Sequence, residues 1–151
     1  KEIFGGHSRT IPNYWSQDSL LPQNKVLINN ADALKLGLGS GDHVRLTSKS
    51  NPQGIIDLKN GRKIEIKAEV EAIEGIRPGV LAVSWHYGHW AYGGEDVFVD
   101  GKRIKGDSRR KKGIVPNPLM RIDETVANTC LTDPIGGSSS FYDTKIEIAR
   151  V

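Results

Sequence analysis

Two stretches decide how the chain is read: residues 28–48, INNADALKLGLGSGDHVRLTS, and residues 63–83, KIEIKAEVEAIEGIRPGVLAV. Asn29 is a favourable helix N-cap, and Asp32 follows where a carboxylate meets the free N–H groups of a first turn. The spacing predicts a short helix with Ala31, Leu34 and Leu36 on one face, ended by Gly37 in the left-handed conformation. Gly39, Gly41 and Asp42 then form a tight turn, and Val44 and Leu46 alternate with polar neighbours as a strand begins. The unit is a helix that feeds into a strand through a glycine corner.

Working outward, Asn60-Gly61 lies between alternating runs and predicts a type I′ hairpin. On its far side Ile64, Ile66, Ala68 and Val70 face one way and Glu65, Lys67, Glu69 and Glu71 the other, the pattern of a half-buried strand. Residues 80–83 read as a buried strand that ends in Trp85, His86, Tyr87, Gly88, His89 and Trp90, a cluster too polar and aromatic for pure core. Asp100-Gly101 predicts a second hairpin, followed by the basic run that includes Arg109, Arg110, Lys111 and Lys112. Residues 144–151, with Ile146 and Ile148 in phase, form the closing strand.

Length and composition agree with this. A chain of 151 residues is one domain by the usual prior, and 37% hydrophobic with 26% charged residues is ordinary for a globular protein. Seventeen glycines and seven prolines favour short strands joined by turns over a helical bundle. The longest uncharged stretch, residues 78–94, carries four glycines and falls short of a bilayer span. A single cysteine, Cys130, excludes an internal disulfide and a cysteine-cluster metal site. The net charge of +3 is local, because residues 101–112 hold seven basic side chains and one acidic one. The chain opens on Lys1 without an initiator methionine or an apolar leader, and reads as part of a longer polypeptide.

The run N-x-x-D-A-x-x-L-G-L-x-x-G-D-x-V-x-L-x-S, followed by A-x-V and I-R-P-G-V, resembles the C-terminal molybdopterin dinucleotide-binding domain of the DMSO reductase family. The resemblance covers nearly all of the chain, from His7 to Val151. It implies a mainly β fold with short helices, the double-psi β-barrel also found in aspartate decarboxylase. Residues 1–151 would be a single domain, with residues 95–113 a hairpin insertion carrying the basic run.

The resemblance also implies where a cofactor is met. His7, Ser8, Arg9, Thr10 and Asn13, by composition a polar arm, match the H-S-x-T-x-x-N-like stretch that contacts the pyranopterin and its phosphates. Hydroxyls and N–H groups suit phosphate oxygens and pterin heteroatoms, and Arg9 suits a phosphate bidentately. Trp85 and His86 are candidates for stacking and hydrogen bonding, with Gly88 allowing close approach. Asn117, in N-P-L, is placed near the cofactor; otherwise it is a turn residue. Ser139 lies in a Gly-Ser run, residues 136–140, that offers an N–H nest or else a plain loop. Tyr142 stands where some relatives place a pterin-contacting lysine.

The combination HSRT, GHWAYGG and GGSSSFYDT looks most like thiosulfate, tetrathionate and polysulfide reductases. The parent enzyme would then hold molybdenum or tungsten on molybdopterin guanine dinucleotide and carry an iron–sulfur cluster elsewhere in its chain. Its partners would be an iron–sulfur subunit plus a membrane anchor subunit, at the periplasmic or outer face of the cytoplasmic membrane. No residue here is assigned as catalytic or as a metal ligand. His86 and His89 lack a third ligand of matching geometry. Two other readings compete: a stand-alone barrel enzyme of the pyruvoyl-dependent decarboxylase type, cleaved before Ser40 or Ser138, and a nucleic-acid module acting through residues 102–112. The basic run lacks interleaved aromatics, which favours a solvated hairpin and no nucleic acid.

Overall fold

A computed structural model describes residues 23–59, 61–84, 87, 88, 90, 94–126, 129–140 and 144–151. The elements are β1 (Val26–Asn29), α1 (Asn30–Lys35), β2 (His43–Ser48), β3 (Ile55–Asp57), β4 (Lys63–Glu65), β5 (Lys67–Ile73), β6 (Leu81–Val83), β7 (Val97–Val99), β8 (Lys102–Ile104) and β9 (Ile146–Arg150), with 3-10 turns at Ser108–Lys111 and Asn117–Leu119. The fold is mainly β with one short α-helix among the described residues. The chain divides into two compact units, Lys1–His43 with Ala68–Val115, and Val44–Lys67 with Pro116–Val151.

In the first unit β1 is the central strand, parallel to β5 with Val26 opposite Val70, and antiparallel to β6 with Val26 opposite Val83. Val26, Ile28, Val70 and Ala68 are buried with Ala33, Leu38, Tyr87 and Ile114. The glycine corner docks on β5 through the backbone: Gly41 N–H donates to the Val70 carbonyl at 2.9 Å, and Val70 N–H donates to the Asp42 carbonyl at 2.8 Å. Ser40 Oγ accepts from Ala72 N–H at 2.9 Å.

Helix α1 starts as the sequence predicts. Asn29 caps it, its Oδ1 accepting from Ala31 N–H at 2.8 Å. The end is a Schellman closure, with Leu38 N–H donating to Ala33 O and Gly37 N–H to Leu34 O, Gly37 at φ 66°. That closure turns Leu38 back over Ala33, and these two are the buried pair. The expected face is therefore corrected: Ala31, Leu34 and Leu36 are exposed, Leu34 by 82%. A helix of six residues buries one small side chain, and the apolar weight falls on the residue after the cap. Asp32 also acts differently from expectation. Its carboxylate accepts from Gly79 N–H, while Asn29 Nδ2 donates to the Ile76 carbonyl at 2.8 Å. The helix start and the I-R-P-G-V turn are thus stitched together.

In the second unit β2 pairs antiparallel with β9, Leu46 opposite Ile148, and β3 pairs with β4, Ile56 opposite Ile64. Val44, Leu46, Ile66 and Leu119 are its buried apolar side chains among the described residues. The predicted long strand breaks at Ile66, whose N–H donates to Gly54 O and whose carbonyl accepts from Leu46 N–H. Asn60 lies outside the described residues, and the hairpin closes with Lys59 at φ 57° and Leu58 N–H on the Arg62 carbonyl. Residues 80–83 are also less buried than predicted, with β6 half-buried and Val80 exposed.

Gly37 and Gly88 separate two uses of positive φ. A Cβ on Gly37 meets open space, whereas one on Gly88 (φ 65°) falls 2.7 Å from the backbone of Ile114 and Val115. In urea unfolding, Gly37→Ala is expected to cost about 1 kcal/mol and Gly88→Ala about 3 kcal/mol or more, because only the second adds a backbone clash to the strain.

Candidate cofactor-binding segments

Four segments carry the candidate residues: residues 7–13, residues 85–88, Asn117, and residues 139–142. His7, Ser8, Arg9, Thr10, Asn13, Trp85, His86 and Tyr142 lie outside the described residues. Gly88 belongs to the first unit, and Asn117 and Ser139 to the second.

Gly88 is buried, and its N–H donates to the Lys112 carbonyl at 2.9 Å. The room left by its missing Cβ is taken by the chain at Ile114 and Val115, so the close approach it permits is to the protein's own backbone. Ahead of it, the Ser84 carbonyl accepts from Asn24 Nδ2 at 2.7 Å. Behind it, the Lys111 ammonium lies 5.4 Å from the centre of the Trp90 ring and 2.8 Å from Glu95 Oε1. Cation–π and ionic attraction act together on this half-buried ammonium. The 3-10 turn Ser108–Lys111 therefore ends the basic run on the aromatic segment, and Lys111 departs from the solvated role its composition suggests.

The predicted hairpin of β7 and β8 is exposed on both strands, with Asp100 (φ 50°) and Gly101 (φ 75°) both at the positive φ of a type I′ turn. Asp96 accepts from Gly106 N–H at 2.8 Å and from the Arg103 guanidinium. The Gly106 N–H first, and then Arg103, hold the Asp96 carboxyl below the usual carboxylate range.

In the second unit, Asn117 is exposed at the start of its 3-10 turn, and its carbonyl accepts from Met120 N–H at 3.1 Å. Its carboxamide is available to solvent as donor and acceptor. Ser139 is half-buried opposite Thr132, with its hydroxyl 3.2 Å from the Cys130 thiol. The first two N–H groups of the Gly-Ser run are already bonded within the chain. Asp133 is the acceptor: its carboxylate accepts from Ile135 N–H at 3.1 Å and Gly136 N–H at 2.8 Å, and its carbonyl from Gly137 N–H at 2.9 Å. An aspartate six residues before Ser139 was the available signal, since Asp side chains habitually close such turns. Asn24 and Lys111 were missed for another reason: each acts on residues remote in sequence.

The family model described as "Molydopterin dinucleotide binding domain" matches residues 2–143. A selenate reductase subunit of Mesobacillus selenatarsenatis is 50% identical over all 151 residues, which cover 14% of that protein. A tetrathionate reductase subunit of Salmonella typhimurium is 30% identical over 86% of the chain and 12% of its own length. ArrA of Shewanella sp., the molybdopterin-containing subunit of an arsenate respiratory reductase, is 38% identical over 76% of the chain and 10% of its own length. The chain belongs to the molybdopterin dinucleotide-binding domain family of the molybdenum oxidoreductases, the DMSO reductase family, and its cofactor is molybdopterin guanine dinucleotide. It spans about a seventh or less of the curated relatives it matches.

Among the described candidates, the donor set fits that cofactor at Asn117 and Ser139, an exposed carboxamide and a hydroxyl suited to pterin heteroatoms or phosphate oxygens. It does not fit at the N–H groups of Ile135, Gly136 and Gly137, already bonded to Asp133.

Two outcomes are expected from these contacts. The folded carboxyl of Asp96 titrates below its unfolded value, so its contribution is present above about pH 4 and is lost as pH falls through the folded pKa. Amide exchange at Gly106 should accelerate beyond its intrinsic pH dependence on acidification in the native chain, and lose that acid response in Asp96→Asn. Asp133→Ala should destabilise the second unit by about 1 kcal/mol and raise exchange at Ile135 and Gly136, measured by NMR.

Proposed function

We propose that this chain is the cofactor-gripping domain of a respiratory molybdenum oxidoreductase that reduces an oxyanion or an oxidised sulfur compound. The observation that carries this reading is the 50% identity over the whole chain to a selenate reductase subunit, which favours an oxyanion over a polysulfide. The fold is read as a double-psi β-barrel forming a single domain over residues 1–151, with residues 95–113 as a hairpin insertion. The pyruvoyl-enzyme and nucleic-acid readings have no comparable support.

When bound, the cofactor supplies a metal centre that cycles by two electrons, using molybdenum or tungsten. The chain's own part is to bind and orient. Arg9 neutralises a phosphate through its planar fork of donors, and His7, Ser8, Thr10 and Asn13 complete the hydrogen bonding around it. Trp85 offers an aromatic face and His86 a ring nitrogen to the pterin, while Asn117, Ser139 and Tyr142 supply a carboxamide and two hydroxyls. None of these residues ligates the metal. The proposed partners are the remaining domains of the catalytic subunit, together with an iron–sulfur subunit plus a membrane anchor, at the periplasmic or outer face of the cytoplasmic membrane.

The test uses the intact enzyme. Purified parent protein should contain molybdopterin guanine dinucleotide and oxidise a reduced dye with selenate or tetrathionate; a protein lacking the cofactor overturns the reading. The Thr10→Ala, His86→Ala double variant should lose most of its pterin, by about tenfold in retention for each 1.4 kcal/mol of contact removed. Normal metal and pterin content in that variant would show that the site lies elsewhere.

A further inference from the structure

Asn24 is a polar side chain only 1% exposed, standing just before β1. Its carboxamide bonds three backbone groups: Nδ2 donates to the Ser84 carbonyl at 2.7 Å and the Ile114 carbonyl at 2.9 Å, and Oδ1 accepts from Ile114 N–H at 2.8 Å. A buried polar group of this kind is expensive unless satisfied, and the need for two donors and one acceptor at one point selects a carboxamide. Aspartate supplies acceptors alone, and leucine of similar size supplies neither. The fit is close, because a Cβ on Gly113 would fall 2.2 Å from Asn24 Oδ1.

The two segments that Asn24 joins are those that bracket the aromatic cluster. Ser84 is the residue from which Trp85 and His86 follow, and Ile114 belongs to the stretch on which Gly88 is seated, with Gly88 N–H on the Lys112 carbonyl. We propose that Asn24 is a positioning residue for the cofactor-facing aromatic segment. It fixes the Ser84 peptide at the entry to the segment and the Ile114 backbone on which Gly88 is seated. This inference rests on the assignment of Trp85 and His86 to the pterin given above.

The experiment pairs two readouts in three variants: Asn24→Leu, which keeps the volume and removes all three bonds, Asn24→Ser, a milder loss, and Ile28→Val, a core change on the same region of β1. In the 151-residue chain, amide exchange at Gly88 and Ile114 should accelerate about tenfold more than exchange at Val70 in both Asn24 variants. Ile28→Val should shift all three amides together. In the intact enzyme, pterin content should fall several-fold in Asn24→Leu and less in Asn24→Ser, and stay unchanged in Ile28→Val. Uniform acceleration, or none, overturns the proposal by reducing Asn24 to a general fold contact. Localised acceleration with normal pterin content also overturns it while leaving the cofactor assignment standing. A native enzyme without pterin instead overturns the assignment on which it rests.

Discussion

The peptide groups of Val70 hold the first unit together. Its side chain is fully buried, and the strand carrying it lies beside β1 on one side. On its other side, both of its polar backbone groups would be left open inside the protein if Gly41 and Asp42 did not pair with them. The glycine corner thus supplies the backbone pairing on that side of Val70. Burial of Val70 and pairing of its peptide are one requirement, and the exact course of residues 39–42 follows from it.

The same logic explains why the sequence fingerprint takes the form it does. Its separated parts are bonded to one another: Asn29 to Ile76, Asp32 to Gly79, and the Gly-Asp corner to the A-x-V strand. A change in any one leaves a polar group of another without its partner, so the positions are linked by hydrogen bonding rather than by proximity in sequence. From that frame, Asn24 bonds the Ser84 and Ile114 carbonyls, and Gly88 packs on the backbone of Ile114 and Val115. The family match over residues 2–143 spans the frame and the segments it supports.

Much of this was legible in the sequence because it is local. The Asn29 cap, the Gly37 stop, the Asp100-Gly101 turn and the alternation from Ile64 to Val70 each depend on residues within a few positions of one another. The expectations that failed turned on where the chain travels next. Leu34 and Leu36 stand two apart, about 200° round a helix, so they share no face, and the Schellman turn delivers Leu38 inward instead. The Gly-Ser run has the composition of an open nest, and only the folded turn shows Asp133 already in it. Lys111 reads as one more cation in a charged run, and its place over Trp90 depends on a 3-10 turn that the run itself does not announce. The candidate site was legible as a set of residue types through family likeness. Asn117 and Ser139 are described, while their relation to residues 7–13 and 85–86 is a matter of tertiary arrangement that periodicity does not encode.

Because Asp133 has already gathered the amides of Ile135, Gly136 and Gly137, the glycine-rich chain leading to Ser139 gives up its torsional freedom when the protein folds. A ligand that meets Ser139 is then spared the entropy loss of immobilising a slack loop, and more of each new contact appears as affinity. The stiffness works in the other direction as well: a loop already closed on its own carboxylate adapts poorly to a ligand of another shape.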